Sequence, residues 1–137
     1  MGIITFYGRQ RLLLEGVAEE FEKSVPTRVR TVDKFQGMER NVVIVSTVRS
    51  NKLAASRFQA PDLVSYPDNG GYPVQSSLGF AEFPNRLNVA LSRAKRLLII
   101  VGNSQHFSQN ECYRRVYEKV CEVGTVIDYK RLIEIAG

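Results

Sequence analysis

An α/β fold built on a mainly parallel sheet is what this sequence predicts, and three observations carry that prediction. Short apolar runs at residues 3–6, 42–48 and 97–101 alternate with stretches whose apolar residues recur at helical spacing. The last two runs are rich in branched side chains, as strands buried in a parallel sheet are. A helical pattern beginning near Pro84 leads straight into the third run, which makes a crossover connection rather than a hairpin.

In order, the run at 3–6 breaks at Gly8, where a buried strand hands over to a helix. Leu13, Leu14, Val17, Ala18 and Phe21 then share one helical face, with Arg9, Arg11, Glu15, Glu19, Glu20 and Lys23 largely outside it. Pro26 ends that helix, 28–32 is a second short extended segment, and DKFQGMER at 33–40 interrupts before the run at 42–48. From about 50 to 79 the pattern is lost among Pro61, Pro67, Pro73 and the Gly70-Gly71 pair, which reads as a long loop insertion. Its Phe58, Tyr66 and Tyr72, beside Lys52 and Arg57, leave open a second reading as a nucleic-acid or partner contact.

Leu87, Ala90, Leu91 and Ala94 fall at i, i+3, i+4 and i+7, so a helix is expected across them, with Arg86 and Arg93 on one flank and Asn88, Ser92 and Lys95 on the other. Residues 97–101 are expected to be a strand covered on both faces. Beyond Asn103, Ser108-x-x-Glu111 has the form of a capping box, and Tyr113, Val116, Tyr117, Val120 and Cys121 follow on one helical face. Gly124 stops that helix, 125–128 is an extra strand or a connector, and a last helix at 129–136 has Asp128 as its cap.

At 137 residues and 44% hydrophobic, the chain has material for one core, so residues 1–137 read as a single domain. A net charge of +5 favours a polyanionic partner, nucleic acid or nucleotide phosphate, or serves solubility alone. Cys112, Cys121 and the single His106 show no metal-ligand spacing, so no metal site is expected. No run approaches the roughly 20 apolar residues that span a bilayer, which predicts no membrane partner and an intracellular, cytoplasmic or nuclear setting.

For nucleotide chemistry, a phosphate-cradling loop G-x-x-x-x-G-K-[ST] is absent, and no apolar run ends in the acidic pair that holds magnesium. The chain alone is therefore not expected to hydrolyse a nucleotide. What it carries is arginine: Arg93, just ahead of a buried strand, fits a guanidinium reaching the charge on a transferring phosphoryl group, although arginine on an amphipathic helix also simply solvates an outer face.

Three blocks, in order, resemble the C-terminal RecA-like motor domain of superfamily 1 helicases, in the branch that includes the regulator of nonsense transcripts. IITFYGRQR at 3–11 is similar to the family's I-I-T-P-Y-x-x-Q segment, with Phe6 where proline is usual. TVDKFQGMERNVVIVS at 31–46, followed by VRSN, resembles motif V, and RLNVALSRAK at 86–95, with the run to Gly102-Asn103, resembles motif VI.

The resemblance implies a RecA-like sheet with helices on both faces, lacking its own P-loop, as the second half of an ATP-dependent DNA or RNA helicase or translocase. It implies that Arg93 meets the γ-phosphate, that Glu39 contacts the nucleotide ribose on a turn shaped by Gln36 and Gly37, and that Arg86 steadies the finger or binds nucleotide. Thr31, Asp33, Thr47 and Arg49 lie where relatives touch the nucleic-acid backbone or transmit between sites, Arg49 being the leading phosphate contact. ATP and magnesium are implied to be held mainly by an N-terminal RecA-like domain of the same protein. That half has no counterpart here, so the chain is expected to be an excised fragment or a standalone relic. The competing reading is a non-enzymatic nucleic-acid- or protein-binding module derived from the same fold.

Overall fold

Residues 1–21, 24–47 and 84–137 are described by the computed structural model, and they fall into two compact units, 1–103 and 104–137. The expected insertion at about 50–79 and Arg49 lie outside the described residues.

The first unit is built on β1 (Gly2–Thr5), β2 (Arg28–Thr31), β3 (Arg40–Ser46) and β4 (Ala94–Val101), hydrogen-bonded in the order β2-β1-β3-β4. Every pairing is parallel, as the alternation of runs and helices requires. Helix α1 (Gly8–Phe21) joins β1 to β2, the one-turn α2 (Val32–Phe35) joins β2 to β3, and α3 (Pro84–Leu91) precedes β4.

Side chains alternate across the strands, so Ile3 faces one side of the sheet while Gly2 and Ile4 face the other. On the first side Ala18 of α1 packs with Ile3 and Val29, flanked by Leu14 and Ile44. On the second, the ring of Phe35 from α2 lies against Gly2 and is fully buried. Leu87 and Ala90 of α3 are buried, and α3 packs beside α2. With helices on both faces of a parallel sheet, this is the α/β RecA-like plan that the sequence predicts.

Three expectations need correction here. Leu13, Val17 and Phe21 were expected to share the covered stripe of α1, but they are exposed. A 14-residue helix is about 21 Å long while four-residue β1 spans about 13 Å, so only part of α1 has sheet beneath it. The helix through Ala94 ends at Leu91 instead, because Ala94 already pairs with Arg40 as the first residue of β4. And residues 97–101 are not covered on both faces: Leu97, Ile99 and Val101 are 50%, 39% and 54% exposed, on a strand that is the last in the described sheet.

The second unit holds α4 (Ser104–Phe107), α5 (Glu111–Val123) and α6 (Tyr129–Ala136). Its capping differs from the Ser108-x-x-Glu111 expectation: Asn110 is the N-cap of α5, its Oδ1 accepting from the amides of Cys112 at 2.9 Å and Tyr113 at 3.4 Å. Asp128 caps α6 as expected, accepting from the Lys130 amide at 2.8 Å. Residues 125–128 form no strand. Along α5, a hydrogen bond to the Cys121 thiol, and repulsion from its thiolate, hold the Tyr117 phenol above its ordinary pKa.

Candidate functional site

The segment between β2 and β3 must cross from one end of the sheet to the other in eight residues, 32–39, and does so with one turn of helix and one tight turn. Gln36 has φ −56° and ψ 133°, Gly37 has φ 79°, and the Met38 amide donates to the Phe35 carbonyl at 3.0 Å. Those values make Phe35–Met38 a type II turn, whose third position needs a positive φ. The backbone supplies the reason for glycine at 37: side-chain-bearing residues rarely adopt that φ, while nothing stands within 4 Å of where a Cβ would sit.

The turn delivers Glu39 to the N-terminal end of β3. Its carboxylate lies 3.3 Å from Lys95 Nζ on β4, with both side chains more than half exposed. Arg40 follows, its guanidinium donating to the Glu39 carbonyl at 2.8 Å.

Arg93 reaches the same place from the other side of the chain. It sits in the two-residue turn Ser92-Arg93 between α3 and β4, not on the helix flank. Its carbonyl accepts the Arg40 amide at 3.0 Å, so the backbones carrying Glu39 and Arg93 meet at one hydrogen bond. The guanidinium folds back on the end of α3: Nε donates to the Val89 carbonyl at 3.1 Å and to Ser92 Oγ at 3.3 Å, and Nη2 to Ser92 Oγ at 2.9 Å. The chain at this end of β3 and β4 thus carries Arg40, Arg93, Lys95 and Arg96 close in sequence or register to Glu39, and of these Lys95 pairs with its carboxylate. Such a surplus of cations attracts phosphate.

Arg86 is near the opposite, N-terminal, end of α3, about 7–8 Å along the axis from Leu91 by helical rise. Its Nε pairs with Asp33 Oδ1 of α2 at 3.1 Å, which ties the second and third helices together. Gln36, Gly37, Glu39 and Arg93 are thus gathered at one end, and Arg86 is set apart from them.

Thr31 and Thr47 lie at the other, C-terminal, end of the strands. Thr31 closes β2 opposite Thr5 and stands at the N-cap of α2 without a side-chain capping bond. Thr47 is only 2% exposed, and both its amide, at 3.0 Å, and its hydroxyl, at 3.2 Å, donate to the Val101 carbonyl. Gly102 makes this possible, because a Cβ there would come within 1.9 Å of Thr47 Oγ1. Seven-residue β3 separates the two ends by roughly 20 Å.

Two partners escaped the sequence reading. Lys95 was assigned only to a polar helix edge, and its pairing with Glu39 follows from the register that sets Ala94 against Arg40. Gln10, the glutamine of the first matching block, donates from Nε2 to Ser46 Oγ at 3.0 Å, joining α1 to the end of β3.

Comparison with known proteins agrees with this architecture. A family profile described as AAA domain matches residues 1–105. The chain is similar to "Probable helicase senataxin" of Homo sapiens, 30% identical over 128 residues, covering 93% of this chain and 4% of that protein. It is similar to "Probable RNA helicase armi" of Drosophila melanogaster, 34% identical over 116 residues, covering 85% and 8%. It is also similar to the "Regulator of nonsense transcripts 1 homolog" of the same fly, 32% identical over 122 residues, covering 85% and 8%. The chain spans less than a tenth of the length of each of these three relatives. The all-parallel sheet, the three motif blocks and a family match over residues 1–105 lead to one conclusion: the chain belongs to the AAA domain family, as a C-terminal RecA-like domain of the superfamily 1 helicases in the regulator-of-nonsense-transcripts branch.

Proposed function

We propose that residues 1–137 act as the second RecA-like domain of an ATP-dependent DNA or RNA helicase or translocase, working inside the cell, in cytoplasm or nucleus. The observation that supports this reading is the hydrogen bond between the Arg40 amide and the Arg93 carbonyl, which brings the backbone segments carrying Glu39 and Arg93 together at one sheet end. The names of the relatives, helicase and RNA helicase, support it.

The residues present fit one side of a nucleotide. Glu39, exposed beyond the open turn at Gly37, suits the ribose hydroxyls, and Arg93 suits the terminal phosphate. Magnesium and the phosphate cradle are assigned to an N-terminal RecA-like domain, as the motif resemblance implies. ATP supplies the phosphoryl group that passes to water. Arg93 neutralises charge that grows on that group, an effect on the order of 10³ to 10⁵ in rate for such fingers. Gln36 and Gly37 hold Glu39 in place, and Arg86, paired with Asp33, steadies α3 rather than reaching the same phosphate.

Nucleic acid is the second partner, held at the C-terminal strand ends with little sequence preference. Thr31 serves its backbone there, and Arg49, outside the described residues, has the same role by resemblance to the family's motif V. Thr47, committed to the Val101 carbonyl, transmits between the ends instead of touching the strand. No helix among the described residues is long and apolar enough to cross a membrane.

Replacing Arg93 by alanine in the full-length protein tests the reading. ATP turnover should fall on the order of 10³-fold or more while nucleic-acid affinity stays within a few-fold. Turnover near normal with nucleic-acid binding lost would overturn it and favour the binding module.

A further inference from the structure

We propose that Ser92 is a positioning residue for Arg93, setting which edge of the guanidinium is presented to phosphate; the inference rests on the reading of Arg93 given above. The Ser92 hydroxyl donates to the Val89 carbonyl at 3.1 Å, which fixes its lone pairs. Those lone pairs accept from both Nε and Nη2 of Arg93, at 3.3 and 2.9 Å, while Val89 also accepts from Nε at 3.1 Å. One edge of the planar group is therefore clasped. Among the described residues Nη1, on the other edge, meets no acceptor and is left for an incoming ligand.

The clasp matters because of what arginine loses when it is ordered. A free arginine side chain has many rotamers to lose, a cost that a phosphate contact must overcome unless the group is already held. Two of the three bonds run to a single oxygen, so removing that oxygen leaves Nε on Val89 alone and lets the plane turn about its end. Preorganised donors contribute to a transition state because they need no reorganisation when charge develops. Hydroxyl chemistry is required at 92, while the rest of the side chain is not: Ser92 is exposed, so a threonine methyl has room.

The test is a cycle of S92A, R93A and the double variant, with S92T as the conservative control, in the full-length protein. Two quantities are read: the kcat and KM of ATP turnover, and the affinity for ADP–aluminium fluoride relative to ADP. S92A should lower kcat about tenfold with KM unchanged, as expected for hydrogen bonds to a charged group. It should lower the preference for ADP–aluminium fluoride over ADP by a similar factor. In the R93A background S92A should change neither quantity, and S92T should keep both close to the parent values. S92A within twofold of the parent, or the same loss with and without Arg93, would overturn the positioning role; the second pattern is that of a helix end merely loosened. R93A without effect would remove the finger reading itself, and this inference with it.

Discussion

The carbonyl of Arg93 accepts the backbone amide of Arg40 at 3.0 Å, and this one bond joins the start of β3 to the turn ahead of β4. Everything assigned to nucleotide in this domain is arranged around it, because Glu39 immediately precedes one partner and Lys95 follows two residues after the other. The guanidinium is thereby placed by backbone hydrogen bonding as well as by its own side-chain contacts.

The Glu39–Lys95 pair should matter to nucleotide and hardly at all to folding. Both side chains are more than half exposed, and exposed pairs contribute about 0–1 kcal/mol. K95A should therefore leave the unfolding midpoint in urea nearly unchanged. E39A should raise the KM for ATP several-fold with a smaller change in kcat, and steady-state ATP turnover in the full-length protein checks it.

Substitution of Gly37 should cost stability through backbone strain alone. No atom stands near the missing Cβ, so G37A meets no clash, but it must hold φ near 79° at a cost of about 1–2 kcal/mol. G37N should cost less, since asparagine tolerates this region better. Equilibrium unfolding of the two variants decides whether φ or space governs the position.

Gly102 should behave in the opposite way. Its added methyl would meet Thr47 Oγ1 at 1.9 Å, so G102A must push the buried threonine aside, with overpacking of this kind costing about 1–3 kcal/mol. T47A removes that oxygen, leaving the next contact, Thr47 Cβ, at 3.2 Å. The double variant should therefore be destabilised by less than the two single losses added together, and unfolding free energies of all three variants test the coupling.

Asn110 and Ser108 separate the observed cap of α5 from the one suggested by the sequence. Loss of the Asn110 side chain removes two bonds to helix amides and should cost about 1 kcal/mol. S108A should be close to neutral. Thermal unfolding followed by circular dichroism distinguishes them.

Much of the site was legible because its residues are close together in sequence. Gln36, Gly37 and Glu39 share one turn, and that turn's geometry follows from a glycine after an extended residue. Arg93 was legible as a cation but not as a turn residue: Leu87, Ala90, Leu91 and Ala94 keep helical period, and only the pairing of Ala94 with Arg40 ends the helix early. Lys95 was hidden for the same reason. The exposed side chains of α1 and β4 were misread because periodicity reports which residues share a face, not whether another element covers it.

By itself the amino-acid sequence determined the parallel α/β plan, the order of the main strands and longer helices along the chain but not the short α2 and α4, and the motif blocks that mark the family. Those are local properties of pattern, spacing and turn chemistry. Tertiary structure alone decided that the Arg40 amide meets the Arg93 carbonyl, that Arg86 pairs with Asp33, that Thr47 is buried against Val101 and which apolar faces stay open. Each of these depends on a hydrogen bond, ion pair or packing surface between segments far apart in the chain, and local propensity carries no information about such partners.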